Sequence, residues 1–370
     1  MKVGWQVKPL GEVCTLQRGF DLPTQNRIEG DYPLVSSSGI IDSHIEGPIK
    51  GPGVATGRSG SIGNVFYIED DFWPLNTVLY VKDFHGNDPR FVFHLLNKFD
   101  LKRFASGAGV PTLNRNFVHD ELVACPPLHD QQRIVGILDE AFDGIATAKA
   151  NAEKNLQNAR ALFESHLQAV FSQQGEGWVE SKLGTVYDVR DGTHDSPKYH
   201  ETGYPLITSK NLKREGLSFE DVSLINEQDY VKINQRSAVH KGDVLFAMIG
   251  TIGNPTLVTV APNFAIKNVA LFKIPNGQSG AFLKHYLASG WVISKMMQDA
   301  KGTTQKFVGL GYLRDFPINV PPLAKQLEVV AALDKLEAET QRLESIYLQK
   351  LAALDELKKS LLDQAFSGKL

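Results

Sequence analysis

The chain has 370 residues, 42% of them apolar and 22% charged, which suits two domains with real cores and excludes overall disorder. Two cysteines, Cys14 and Cys125, exclude a disulfide scaffold and a cysteine-rich zinc module. The first twenty residues lack the basic start and apolar run of a signal peptide, and the longest apolar stretch, Val244 to Ile249, is far short of a membrane span. These features predict a soluble, cytoplasmic protein without a membrane partner.

Taken in chain order, the sequence is a duplication. Trp5, Leu10 and Gly11 are echoed by Trp178, Leu183 and Gly184. DYPLVSSSG from Asp31 is answered by GYPLITSKN from Gly203, and GSIGN at Gly60 to Asn64 returns as GTIGN at Gly250 to Asn254. Pro126-Pro127-Leu128 with Gln131 returns as Pro321-Pro322-Leu323 with Gln326. From there a constant spacing of 195 residues pairs Val135 with Val330, Leu138 with Leu333, Asp139 with Asp334, Phe171 with Phe366 and Ser172 with Ser367.

Each half changes character at its Pro-Pro. Before it, short apolar runs such as 76–81 and 268–274 alternate with Gly, Pro, Asn and Ser clusters, which predicts strands and turns. After it, both halves are long and nearly free of proline. Ile134, Leu138, Ala141, Ile145, Ala148, Ala152, Asn155, Ala159, Leu162, His166 and Ala169 step by four and three, as a heptad seam does. The second half repeats it at Val329, Leu333, Leu336, Thr340, Leu343, Tyr347, Lys350, Leu354, Leu357, Leu361 and Gln364.

The predicted fold class is therefore α+β: two pseudo-repeated mixed α/β domains, each followed by a long helix. The helices are expected to pack as an antiparallel coiled coil, small alanines of the first seam against larger residues of the second, with a head at each end. The predicted boundaries are 1–127 for the first head, 128–173 for the first helix, 174–322 for the second head and 323–370 for the second helix. Glycines at Gly136 and Gly144 weaken the first helix, as a hinge or as sites of close packing.

No catalytic constellation is visible. GPGVATGRSGSIG at 51–63 fails as a phosphate loop, because Pro52 stands where its first glycine belongs and Arg58 where its lysine belongs. CPPL at 125–128 and VPPL at 320–323 lack the Asn, Asp or Ser that an amino-methyltransferase places before its prolines. The ten histidines form no metal-ligand cluster, and His194 in DGTHDSPKY is read as part of a polar loop. The expectation is a non-catalytic chain with no metal site.

Two diverged heads, each opened by Trp and Leu-Gly and closed by a Pro-Pro-Leu…Gln helix ending in Phe-Ser, resemble the specificity (S) subunit of type I restriction–modification enzymes. DGTHDSPKY at 191–199, the GSIGN and GTIGN pair and the closing QAFSGKL at 364–370 carry the same resemblance, which covers essentially the whole chain. It implies that each head is a target-recognition domain reading one half of a split, asymmetric site in double-stranded DNA. It also implies that the helices set the gap and dock two methyltransferase (M) subunits, with restriction (R) subunits joining the full complex. S-adenosylmethionine, ATP and Mg2+ are then expected on those partners, and no cofactor on this chain.

Charge gives this reading little help. Residues 1–127 carry 12 basic and 14 acidic side chains, and only residues 178–323, with 16 and 13, are net positive. Base and phosphate readers need Arg, Lys, Asn, Gln, Ser or Thr on exposed loops. In the first head the candidates are Ser36, Ser37, Ser38, Arg58, Ser59, Ser61, Thr112, Asn114 and Arg115. In the second they are Thr193, His194, Lys198, Tyr199, Thr208, Ser209, Lys210, Asn211, Thr251, Lys301, Thr303, Thr304, Gln305 and Lys306. Arg58, Arg115, Lys210 and Lys306 lead, as cations in Gly-, Ser-, Thr- or Asn-rich loops. Competing readings are a two-headed scaffold that binds proteins, a stand-alone methyltransferase, and an orphan or phase-variable S chain without an active partner.

Overall fold

The computed structural model describes residues 4–107, 111–172, 175–302 and 305–370. The chain forms two compact units, Met1–Glu153 with Leu348–Leu370, and Lys154–Tyr347. Each unit thus contains one head and a stretch of both long helices.

The two heads are built on the same three sheets, to which the first adds the pair Ala105–Ser106 with Thr112–Leu113 and the second the pair Leu212–Lys213 with Gly216–Leu217. In the first, an antiparallel sheet runs in the order Thr15–Arg18, Val78–Asp83, Gly53–Gly57, Val65–Ile68. In the second, the order is Asp188–Asp191, Val269–Lys273, Val244–Ala247, Gly253–Leu257. The central strands GVATG and VLFA are buried at every position, because both faces of the sheet are covered. Alternation along the strands sorts the side chains. Leu79 and Val81 join Leu16 and Val54 against helix α1 (Pro89–Lys98), whereas Val78 and Tyr80 join Ala55 and Val35 on the opposite side. In the second head Val244 and Phe246 face the helical side, while Leu245 and Ala247 face the other.

That other side is a small three-stranded sheet, again duplicated. Tyr32–Ser36 pairs antiparallel with Gly39–His44 and parallel with Trp73–Pro74. Tyr204–Ile207 pairs antiparallel with Ser223–Ile225 and parallel with Ala265–Ile266. A two-stranded ribbon closes each head, joining Gln6–Pro9 to Leu122–Cys125 and Val179–Lys182 to Pro317–Val320. The ribbon's second strand runs straight into the Pro-Pro and the long helix. The repeated prolines thus mark the exit of each head into α2 (Leu128–Ser172) and, beyond α3 (Gly280–Ala288), into α4 (Leu323–Phe366). Prolines there remove no helical hydrogen bond, and Pro127 O already accepts from the Asp130 and Gln131 amides.

Within each unit the stretches of α2 and α4 run antiparallel. In the first unit Arg133 reaches Leu370 O and Lys149 Nζ meets Asp355 Oδ1 at 2.7 Å. In the second, Arg160 Nε meets Glu344 Oε2 at 3.0 Å, and Phe163 and Leu167 pack on Leu333.

The heptad expectation fails in the second half of α2. Asn155, Leu162 and His166 are exposed, and Leu156, Phe163 and Leu167 are buried in their place. The same shift occurs in α4, where Lys350 and Leu357 are exposed while Leu351 is half-buried and Leu362 buried. Ile134, Ile145, Leu156 and Leu167 are spaced by eleven, as are Ala141, Ala152 and Phe163. An eleven-residue period gives about 3.67 residues per turn, close to the straight helix, so the seam needs no left-handed supercoil. Gly136 and Gly144 lie on exposed turns inside the continuous α2, and an added Cβ at either would meet nothing within 4 Å. They are neither close-packing sites nor breaks in the helix.

Candidate nucleic-acid interface

The duplicated GxIGN strings form the same corner in both heads, next to the end of the central strand. Gly57 has no alternative there, since a Cβ would stand 2.0 Å from Ser61 O. Gly60 and Gly63 take φ of +81° and +88°, which turn the chain back on itself. Arg58 and Ser59 donate their amides to Thr77 O at 2.8 and 3.2 Å, and Leu113 donates to Arg58 O at 2.8 Å. Ser59 bridges to Thr112, and the Ser37 amide donates to Thr77 Oγ1 at 3.3 Å. The Arg58 guanidinium donates to Asn76 O at 3.3 Å, which orients its planar fork. The structure therefore gathers Ser37, Arg58, Ser59 and Thr112 around Asn76 and Thr77, with Ser38 and Ser61 exposed on the adjoining turns.

Two first-head candidates serve the framework. Ser36 is buried, and its hydroxyl donates to Gly39 O at 3.1 Å within its own turn. Asn114 caps the short helix Arg115–His119, accepting from the Asn116 amide at 3.1 Å. Arg115 itself is exposed and reaches Leu16 O at 3.4 Å.

In the second head Val308 donates to Met248 O at 3.0 Å and Gly250 to Lys306 O at 2.9 Å, while Lys301 and Phe307 exchange amide bonds. This seats Thr251, Lys301, Gln305 and Lys306 together, all exposed, with Lys306 Nζ 3.3 Å from Met297 O. Thr303 and Thr304 lie outside the described residues. Thr208 and Asn211 form a reciprocal capping box, and the buried Asn211 amide donates to Ser218 O at 3.1 Å. Asn211 thus holds the turn that presents Ser209 and the exposed Lys210.

The DGTHDSPKY loop lines a cleft of about 430 Å³ together with helix Glu227–Ser237, which contributes Asp229, Lys232 and Arg236. Thr193 pairs with Ile266 O, and its hydroxyl accepts from the Asp195 amide at 3.2 Å. His194 sits 2.9 Å from both Asn268 Oδ1 and Asp191 Oδ2. The bond to Asn268, followed by that to Asp191, raises the His194 pKa above its ordinary value. Asp191 is buried and also pairs with Arg236. Lys198 and Tyr199 are exposed farther along the loop. Asp21, Asn76, Lys232, Arg236 and Asn268 escaped the sequence reading. Asn76 and Asn268 carried one signal, each standing before an apolar strand, in LNTV and KNVA.

The bases of the heads are built for rigidity. Gln131 Nε2 donates to Pro126 O and Asn87 Oδ1 at 2.9 and 2.7 Å, and its Oε1 accepts from the Asp88 amide at 2.9 Å. Gln326 repeats this with Pro321 O, Gln278 Oε1 and the Ser279 amide at 2.9, 2.8 and 2.9 Å. Asp88 and Ser279 are the caps of α1 and α3, so each glutamine ties a cap to the start of a long helix. The two thiols are buried, and burial pushes Cys14 up to about 12, which leaves it inert at neutral pH. Among the described residues no helix is long and apolar enough to cross a membrane.

Comparison with known proteins agrees with this architecture. The EcoKI specificity subunit of a type I restriction enzyme from Escherichia coli K12 is 21% identical, over 99% of this chain and 89% of the relative. A chain from a study of complex assembly and conformational transition of the type I R-M system superposes with a TM-score of 0.80 at 20% identity, covering 100% of this chain and 99% of that one. The HsdS subunit of Thermoanaerobacter tengcongensis gives a TM-score of 0.65 at 20% identity, covering 100% and 98%. The family model for the type I restriction modification DNA specificity domain matches twice, at residues 2–157 and 175–352. The chain therefore belongs to the type I restriction–modification specificity family, whose members are the non-catalytic DNA-recognition subunits of those systems.

Proposed function

We propose that each head of this chain reads one half of a split, asymmetric DNA site, and that the paired helices set the gap and carry two methyltransferase subunits. S-adenosylmethionine binding and adenine methylation belong in this reading to those subunits. ATP- and Mg2+-dependent translocation and cleavage belong to restriction subunits that join the same core.

One observation carries the proposal: the heads share the four-stranded sheet, the three-stranded sheet, the closing ribbon and the anchoring glutamine, yet their corners present different side chains. The first offers Arg58, Ser59, Ser61 and Thr112; the second offers Thr251, Lys301, Gln305 and Lys306, with Lys198 and Tyr199 beside the cleft. Identical frames with different loops suit two readers of different half-sites, whereas identical loops would suit a palindrome. Arg58 and Arg115 are assigned to base edges, and Lys210 and Lys306 to phosphates.

The test is a map of methylated adenine in the source cell with the gene intact and deleted. Loss of one split, asymmetric motif on deletion supports the reading. An unchanged map in a cell whose partner methyltransferase is active contradicts it.

A further inference from the structure

The loop that follows the first sheet strand is tied down in the same way in both heads, with the charges reversed. Gly19 and Phe20 donate to Val78 O and Pro74 O at 3.1 and 2.8 Å; Gly192 and Thr193 donate to Val269 O and Ile266 O at 3.1 and 3.0 Å. This backbone frame places Asp21 and His194 at equivalent points. Each is gripped from two sides, by the strand residue three positions earlier and by an asparagine from the facing loop.

In the first head Asp21 accepts from Arg18 Nη2 at 3.2 and 3.3 Å and from the Asn76 side-chain amide. In the second, His194 Nδ1 faces Asn268 Oδ1 and Nε2 faces Asp191 Oδ2. The asparagine has turned round, offering its N–H to a carboxylate in one head and its oxygen to an imidazole in the other. With the Asn268 oxygen on one side and the Asp191 carboxylate on the other, the ring donates from both nitrogens only as an imidazolium, so the two acceptors favour the protonated form. Asp191 balances that charge and holds Arg236 as well. Asp195, Asp229 and Lys232 are the other charged groups lining the cleft.

We infer that Asp21 and His194 are positioning residues for the two recognition loops, and that the reversal of charge makes the loop clasp of the second head alone depend on a proton. Its DGTHDSPKY loop is held through an imidazolium, whereas the clasp of the first head contains no histidine. The inference rests on the reading of the heads as DNA readers. It adds that one half-site is recognised in a pH-dependent way and the other is not. As pH rises through the His194 titration, the Asn268 bond loses its proton, and the loop and its exposed Lys198 and Tyr199 lose their fixed position.

Two readouts on the full chain test this separately. Hydrogen exchange without DNA, corrected for intrinsic rates, is followed from about pH 6 to 8.5, the window in which a histidine titrates. Amides of 192–200 are expected to lose protection as pH rises, while those of 19–27 do not. His194→Gln should expose 192–200 at every pH, and Asp21→Asn should loosen 19–27 without adding pH dependence. In the complex with the methyltransferase partner, binding to duplexes carrying single-base changes in either half-site is measured across the same window. Discrimination at one half-site should fall on the order of tenfold, the loss of one charge-assisted bond, and should become pH-independent in His194→Gln. Protection of 192–200 that is flat with pH in the unsubstituted chain overturns the inference, as does equal pH dependence at both half-sites. Exchange that behaves as expected in a chain that binds no DNA leaves the clasp standing and removes the recognition reading.

Discussion

The imidazole of His285 stands 2.7 Å from the Asp334 carboxylate, and His94 stands at the same distance from Asp139. Each bond joins the helix that backs a head's sheet to the long helix that leaves that head. Both rings are almost wholly buried, and burial is the main cause that lowers their pKa values, against the pull of the neighbouring carboxylates. A folded-state pKa below the unfolded one means that protonation favours unfolding. The stability these groups contribute is full above the ordinary histidine value and is lost as pH falls through the folded one. Denaturant midpoints at about pH 8 and pH 5 should therefore differ, with the acid loss reduced in His285→Gln. An acid limb unchanged in His94→Gln/His285→Gln would contradict this assignment.

Gln131 and Gln326 are buried and use the amide oxygen and nitrogen together. Replacing Gln131 by Leu strands the Asp88 amide and leaves Pro126 O with only the long Cys125 Sγ contact at 3.8 Å, at a cost of about 2–4 kcal/mol. Chemical denaturation should show the loss in Gln131→Leu and in Gln326→Leu. Either variant remaining within about 0.5 kcal/mol of the parent would mean that the clasp is unimportant to the head.

Gly136 and Gly144 face open space on a helix. Alanine at each should stabilise by about 0.5–1 kcal/mol through the entropy of the unfolded chain, leaving DNA recognition unchanged. A loss of stability, read by thermal unfolding, would show that the glycines serve a contact.

The cations separate by chemistry. Arg58, oriented by Asn76 O, is expected to read a base: Arg58→Ala should cost about 1–3 kcal/mol and relax specificity at one position of one half-site. Lys210→Ala should weaken binding to all sequences alike and lower the salt slope by about one. Titrations at two or three salt concentrations distinguish them, and a uniform, salt-linked loss for Arg58→Ala would move it to the phosphate class.

The duplication was legible because the Pro-Pro-Leu, the glutamines and the asparagines beside the turns perform backbone tasks that both heads share. Asp139 and Asp334 were visible as a repeated pair, but their histidines were not. His94 and His285 lie 191 residues apart rather than 195 and have dissimilar neighbours. The seam was read with the wrong period, since heptad and eleven-residue patterns agree from Ile134 to Ala152 and part only afterwards. Among the candidate readers, Ser36 and Asn211 looked alike in composition to Ser38 and Lys210. Only the fold shows that the first two face inward to hold their turns. The basic side of the cleft comes from helix Glu227–Ser237, brought to the loop by tertiary packing that no local pattern encodes.

Exchange of residues 178–323 for those of a relative with a different methylation motif tests the central claim most directly, read by mapping methylated adenine in cells that carry the partner subunits. The expected result is a new motif in which one half-site and the gap are kept and the other half-site is replaced. Change in both halves, or in neither while methylation persists, would contradict the assignment of one half-site to each head.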